Sequence, residues 1–296
     1  EFVAVILNKL NGKTTFTSEA EIFSTAGMPY VLPELRDSTD LMQVEGLIEL
    51  SDIKGVVHNH STWSDGKNTI AEMAAGCIEG GYSYFVISDH SKTAVYAGGL
   101  TEQQIIAQHK EIDLLNKTSG IKIFKSIECD ILNDGSMDYD DSVLSTFDFV
   151  IASIHQNLKM DEEKATARLL KAIENPYTTI LGHPTGRLLL GRPGYPINHK
   201  KIIDACAANK VVIELNAHPY RLDIDWRWIP YCLEKGVMIS INPDAHQLKG
   251  YHDMRYGTYV ARKGLLTKDN CLNAMDLNTF ENYLSHVKMS FGKSWR

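Results

Sequence analysis

From residue 55 onward, short apolar runs alternate with stretches whose apolar positions recur at helical spacing. The runs cover residues 55–57, 84–88, 121–127, 147–154, 179–182, 211–215 and 237–241, each a suitable length for a buried strand. Between them, Ile70, Met73, Ala74, Cys77 and Ile78 fall on one helical stripe that stops at Gly80-Gly81. Thr101 and Gln104 form a capping box ahead of Ile105, His109, Ile112 and Leu115. Leu169, Leu170 and Ile173 mark a further helix, as do Ile202, Ile203 and Cys206. Pro230 does not suit a helix interior, so the helix there is expected to begin near Trp228. Repeated strand–helix units predict an α/β barrel of parallel strands with helices outside.

Residues 1–54 read differently. An apolar run at 2–7, helix or strand, ends at Asn11-Gly12. Ser18 is placed to cap a short helix reaching Ala26, with Glu21 at the capping-box position and Gly27 as the stop. Residues 28–36 carry Pro29 and Pro33 and read as an extended linker. Residues 41–50 lead into the first strand as helix or coil. The expected division is an N-terminal extension, 1–54, and a main domain, 55–296.

Composition narrows the class. With 44% hydrophobic and 23% charged residues among 296, the chain has room for a sizeable globular core. No apolar run is long enough to cross a bilayer, and no signal peptide is visible. The five cysteines are odd in number, widely spaced and free of any CxxC, as expected of reduced, buried thiols in a cytoplasmic protein. The net charge of -7 argues against a broad basic nucleic-acid surface. That argument is weakened where carboxylates hold divalent cations, because they enter the formal sum uncompensated. The chain opens on Glu1 and not Met, as a fragment of a longer protein would.

The chemistry lies just past the end of each run. The first leads into His58, His60 and Asp65, the second into Asp89-His90, and the third ends in Glu128. His155 and His183 come after the fourth and fifth, Glu214 to His218 after the sixth, and Asp244 with His246 after the seventh. His58 and His60 would share one face of an extended strand. In a parallel barrel the C-terminal strand ends form the active-site face. His109, His199, His252 and His286 fall outside the pattern and read as surface or helix residues. A donor set of His, Asp and Glu without Cys suits zinc, manganese or iron(II) in a hydrolytic centre. The set is too large for one ion, and Glu128 is placed to bridge two. Two or three close divalent ions suit phosphoester cleavage, because they acidify water and neutralise phosphate charge.

HNHSTWSDG, ISDHS, IECDIL, ASIHQ, LGHPTGR and PDAH, over residues 55 to about 265, resemble the metal motifs of the PHP (polymerase and histidinol phosphatase) family. LGHPTGRLLLGR, NAHPYRLDIDW and YGTYVARKG are most similar to its branch found as the C-terminal domain of bacterial family X DNA polymerases, and GMPYVLPELRD resembles the segment joining the two parts. The resemblance implies a distorted TIM-like (β/α)7 barrel with its metals at the C-terminal strand ends. By motif, His58, His60, Glu128 and Asp244 would hold a first ion; Glu128, His155 and His183 a second; Asp65, His90 and His246 a third. Asp65 stands where other members carry His. His218 stands in NAHP where relatives read NANP, and its simpler reading is a loop residue.

The activity implied is metal-dependent phosphoester hydrolysis, with DNA 3′ ends as substrate and 3′-5′ exonuclease or 3′-end repair as outcome. The polymerase part is absent from this chain. Glu128 and Asp65 would be catalytic through the metals. Lys92, Arg187 and Arg221 would meet the phosphate, the first two also in catalysis; each equally suits a surface salt bridge. Trp63 and Tyr220 are candidates to stack on a base, or to pack. Asp138, Asp140 and Asp141 read as a solvated turn and helix start. Two other readings compete: a histidinol-phosphatase-like enzyme acting on a small phosphoester, and a non-catalytic metal-stabilised domain.

Overall fold

The computed structural model describes residues 2–37 and 45–290; the first residues of the expected 41–50 segment lie outside them. Two compact units divide the chain, Glu1–Leu47 and Ile48–Arg296. The division precedes the expected one at 54/55 because Ile48 and Ile53 are buried with the main core. The Ile48 N–H donates to the Leu266 carbonyl at 2.9 Å and the Lys54 N–H to that of Asn273 at 2.8 Å.

In the first unit, α1 (Phe2–Lys9) and α2 (Glu19–Thr25) pack Phe2, Ile6, Leu10 and Phe23 together, so the run at 2–7 is helix. Ser18 Oγ accepts from the Glu21 N–H at 3.2 Å. The Glu21 carboxylate turns instead to the Thr17 N–H and hydroxyl, so only half of the expected box forms. The expected extended linker at 28–36 has no regular structure through residue 32 and then folds. Pro33–Leu35 is a 3-10 helix, and Arg36 donates twice to the Val31 carbonyl while lying over the Phe23 and Tyr30 rings.

The second unit is built on seven parallel strands in sequential order: β1 (Gly55–Val56), β2 (Tyr84–Ile87), β3 (Lys122–Asp130), β4 (Phe149–Ser153), β5 (Thr178–Leu181), β6 (Val212–Asn216) and β7 (Ile239–Asn242). Each coincides with a predicted run, within a few residues at the ends. The helices are α3 (Ile70–Glu79), α4 (Glu102–Leu115), α5 (Asp141–Leu144), α6 (Glu162–Ile173), α7 (His199–Asn209), α8 (Ile229–Glu234), α9 (Met254–Lys263) and α10 (Leu277–Ser290). Pro230 sits in the first turn of α8, where its missing N–H costs nothing. No helix among the described residues is long and apolar enough to cross a membrane.

Strand alternation sorts the side chains into two cores. Phe85, Ile87, Ile123, Ile127, Ile213 and their neighbours pack with residues of the surrounding helices. Val57, Tyr84, Val86, Phe124, Phe149, Ile151, Ile180 and Val212 form a second cluster with Phe280 and Leu284 of α10. The Phe280 ring stacks on Tyr84 at 4.5 Å and meets Phe124 at 5.1 Å. Gly55 carries no side chain because a Cβ there would lie 1.9 Å from the Tyr84 ring. Continuing the alternation from Phe124 and Val212 towards the C-terminal ends, the same face becomes polar, with Glu128 and Glu214.

β1 is too short to close the barrel by strand pairing. Beyond it, the His60 N–H donates to the Ala245 carbonyl at 2.9 Å, and Asn59 bridges Ala245 in parallel. Nearer the other end, the Asn273 side chain takes the Ile241 N–H at 3.0 Å and donates to the Ile241 and Gly55 carbonyls. One amide thus stands in for the missing ladder between β7 and β1.

Candidate metal centre

Glu128 is fully buried at the C-terminal end of β3, and imidazoles surround it. Its Oε1 lies 2.9 Å from His183 Nε2, 3.2 Å from His155 Nε2 and 3.3 Å from His58 Nε2. Its Oε2 lies 3.1 Å from His90 Nδ1 and 3.6 Å from His60 Nε2. Asp244 Oδ1 is 3.1 Å from His60 Nε2 and 3.6 Å from His58 Nε2. Asp65 Oδ1 is 3.3 Å from His246 Nε2, 3.7 Å from His90 Nε2 and 3.9 Å from His60 Nδ1.

All the donors expected from sequence therefore come together. Among the described residues eight of them form three groups able to hold an ion: His58, His60 and Asp244; His90, Glu128 and His155; and His60, Asp65, His90 and His246; His183 touches Glu128 but joins none of the three. His60 and His90 each belong to two groups, whereas motif matching gave each to one ion. No described residue of the first unit belongs to these groups.

The donors suit divalent ions on the geometry alone. Two ligand atoms about 2.1 Å from a tetrahedral zinc are about 3.4 Å apart, close to the separations here. His58 Nε2, His60 Nδ1 and His90 Nδ1 are buried with no hydrogen-bond partner, a costly state unless a cation accepts their lone pairs. The His60 ring lies 4.3 Å from that of His90 and 4.2 Å from that of His246. Burial, then the neighbouring His246 and His90, hold the His60 pKa down at about 3, leaving it neutral and free to ligate. Burial opposes charge on Glu128 and Asp244, but the histidines, led by His155 for Glu128 and His58 for Asp244, prevail and hold both well below the usual carboxylate range.

Backbone conformation aims several of these donors. His58, His183 and Asp244 have φ of 66°, 22° and 50°, a region that non-glycine residues seldom adopt. His58 and His60 reach the cluster because the chain turns at His58, and not because they alternate along an extended strand.

A second layer of carboxylates was missed as such in the sequence. Glu214 Oε2 lies 2.5 Å from His58 Nδ1, and Asp130 Oδ1 bonds His155 Nδ1. Such bonds fix tautomer and ring orientation, leaving Nε2 for the cluster. The signal was a carboxylate on the inward alternation of an apolar strand: Glu214 comes two residues after Val212, and Asp130 two after Glu128. Asp89 takes Ser61, Ser64 and Gln108 and so shapes the turn before Asp65. Asp138, expected in a solvated turn, is buried and accepts from the Thr93 N–H at 2.8 Å.

The basic residues do not all point where their sequence neighbours suggest. Lys92 Nζ pairs with Glu102 of α4 at 3.7 Å and lies over the Tyr139 ring. Arg187 donates to the Arg221 and Leu222 carbonyls and to Asp225 Oδ2 at 2.7 Å, which engages its guanidinium in bracing loop 221–225. Arg221 is the one aimed inward. Its Nε lies 3.6 Å from Asp244 Oδ2, and its Nη1 is buried without a partner. Trp63 is half-buried and donates to Glu111 at 2.8 Å, whereas Tyr220 is exposed. His218 Nδ1 accepts from the Tyr220 N–H within its turn.

Comparison with known proteins bears on this arrangement. The sequence model described as "PHP domain" matches residues 57–218. The chain is 43% identical over 275 residues to the DNA polymerase/3′-5′ exonuclease PolX of Bacillus subtilis, an alignment covering 91% of this chain and 48% of that protein. The chain thus spans about half the length of this relative. A probable phosphatase of Thermoanaerobacter sp. is 28% identical over 247 residues, covering 79% of this chain and 96% of its own. Histidinol phosphate phosphatase of Lactococcus lactis, solved with zinc, L-histidinol and phosphate, matches with a TM-score of 0.52 at 16% identity, covering 71% of this chain and 93% of its own. That last likeness concerns the fold.

Proposed function

Because the chain belongs to the PHP domain family, we propose that its clustered donors hold two or three divalent ions of zinc, manganese or iron and that it hydrolyses phosphoesters, with the 3′ end of DNA as substrate. The observation that carries the reading is the convergence on one buried carboxylate, Glu128, of His58, His90, His155 and His183. His58, His60 and Asp244 with Glu128 would hold one ion, Glu128, His155 and His183 a second, and Asp65, His90 and His246 a third. Bound there, such ions supply an acidified water and neutralise phosphate charge.

The chain's own residues do the rest. Glu214 and Asp130 hold the imidazoles in one tautomer. Arg221, with an unspent N–H beside Asp244, is positioned to donate to a non-bridging phosphate oxygen, the role expected of Lys92 and Arg187. Arg187 acts at one remove, as the brace of the loop carrying Arg221.

The relation to the Bacillus exonuclease supports a DNA end, since it runs over 91% of this chain. A second reading, hydrolysis of a small phosphomonoester, is favoured by the phosphatase relative matched over 96% of its own length. The non-catalytic reading is disfavoured because every expected donor is present and assembled. The deciding assay uses Mn²⁺-loaded protein on 5′-labelled single-stranded DNA and, in parallel, on histidinol phosphate. A ladder of products shortened from the 3′ end, abolished by EDTA, is expected. Phosphate release from histidinol phosphate with intact DNA would select the second reading.

A further inference from the structure

The loop joining β2 to α4 holds two large apolar side chains in the open beside the metal centre. Val95 is 81% and Tyr96 68% exposed. Isolated exposed apolar residues are ordinary, but a loose loop does not explain this pair. The Ala94 N–H donates to Ser91, Ala97 and Gly99 donate to Ala94, and Leu100 donates back to His90. Gly99 is required, since a Cβ there would lie 1.8 Å from the Ser91 carbonyl oxygen. Thr93 pins the loop from below, its hydroxyl donating to Asp130 Oδ2 at 2.9 Å, while the other oxygen of Asp130 holds His155. A rigid loop, tied to a metal ligand, thus presents an aromatic ring at the mouth.

The Tyr96 ring centroid lies 6.2 Å from that of His90. Partial burial and then the carboxylates of Asp130, Glu128 and Asp65 raise the pKa of its phenol, while Arg221 opposes them. The ring therefore stands beside the donor cluster, with its phenol inside the field of the Arg221 guanidinium, whose Nη1 has no partner. A DNA end also needs a source of affinity that a chain of net charge -7 does not offer along the phosphate backbone. Base stacking on an aromatic face is such a source, and it tolerates any sequence.

We propose that Tyr96 is a stacking platform for the base of the 3′-terminal nucleotide of single-stranded DNA, seating the last phosphodiester between Arg221 and the Glu128 cluster. The proposal rests on the exonuclease reading. It makes the enzyme selective for ends whose last base is unpaired, since a base held in a duplex does not present its face to the ring.

The test compares two 5′-labelled single-stranded oligonucleotides, identical except that one ends in a stable abasic residue. The full chain, loaded with Mn²⁺, is assayed unsubstituted and as Y96A and Y96F. The unsubstituted chain should prefer the normal end in kcat/KM by about 5- to 150-fold, the range expected of one stacked base. Y96A should bring that ratio close to one, mainly through KM, and Y96F should keep it. A ratio that survives in Y96A overturns the proposal. So does loss of the ratio in Y96F, which would assign the contact to the hydroxyl, and so does a ratio near one in the unsubstituted chain. If the unsubstituted chain cleaves neither oligonucleotide yet hydrolyses histidinol phosphate, the exonuclease reading has failed and this proposal falls with it.

Discussion

Glu214 grips His58 from behind: its Oε2 lies 2.5 Å from Nδ1, and neither side chain reaches solvent. The same carboxylate takes the His183 N–H at 3.1 Å and side-chain amides of Asn216 and Asn242. A carboxylate here makes Nδ1 the protonated nitrogen and turns Nε2 towards Glu128. Glu214→Gln keeps the volume but brings an amide donor against two others. Metal affinity is expected to drop about 10- to 100-fold, as for other carboxylates behind ligating histidines. Chelator competition on the purified variant reads this directly; unchanged affinity would remove Glu214 from the metal centre.

Glu128 offers both oxygens to imidazoles of different groups. Glu128→Ala should therefore lose more than one ion per chain by elemental analysis, whereas Asp65→Ala should lose one and slow the reaction. A Glu128→Ala protein with full metal content and activity would end the bridging role.

The cations separate by what already engages them. Arg221→Ala should lower turnover by about 10²- to 10³-fold with metal content intact, the usual loss when one donor to transition-state charge is removed. Arg187→Ala should lower it less and should also loosen loop 221–225, read as faster amide exchange there. Lys92→Ala, whose ammonium serves a half-exposed pair with Glu102, should change turnover by no more than about threefold, as exposed pairs contribute little. Equal losses for Lys92 and Arg221 would contradict this ordering.

His109 predicts a pH effect remote from the chemistry. It packs edge-on against Phe147 at 4.9 Å, and its Nε2 is buried without a partner. Burial, then Lys125, lower its pKa to about 4. An unfolded chain would protonate it near pH 6.5. As pH falls from about 6.5 to about 4, the unfolded state takes a proton that the folded state resists, so stability is lost across that window and retained above it. His109→Phe removes the group. Its melting temperature should fall less between pH 7 and pH 4.5 than that of the unsubstituted chain, compared in the same buffers. Parallel curves would refute the assignment.

How far the sequence alone determined this protein can be read from its strands and its side-chain directions. The run lengths, the alternation and the caps at Ser18, Thr101 and Pro230 are local properties, and they placed seven strands and most helices within a few residues. The donors were legible for the same reason: residues just past parallel strands must share one end of a barrel, which assigns His58, Glu128, His155, His183 and Asp244 to one face, although not the backbone turns that aim three of them. Direction was not legible. Lys92 and Arg187 lie close to ligands in sequence, yet long cationic side chains swing to whichever acceptor lies within reach. Those acceptors, Glu102 in one case and Asp225 with the 221–222 carbonyls in the other, come from distant segments. Glu214 looked like one more donor past a strand, and only the packed barrel shows it standing behind His58. Closure of β7 on β1 through Asn273, and the backbone turn at His58, were likewise decided by tertiary structure, because both satisfy hydrogen-bonding groups that local sequence leaves open.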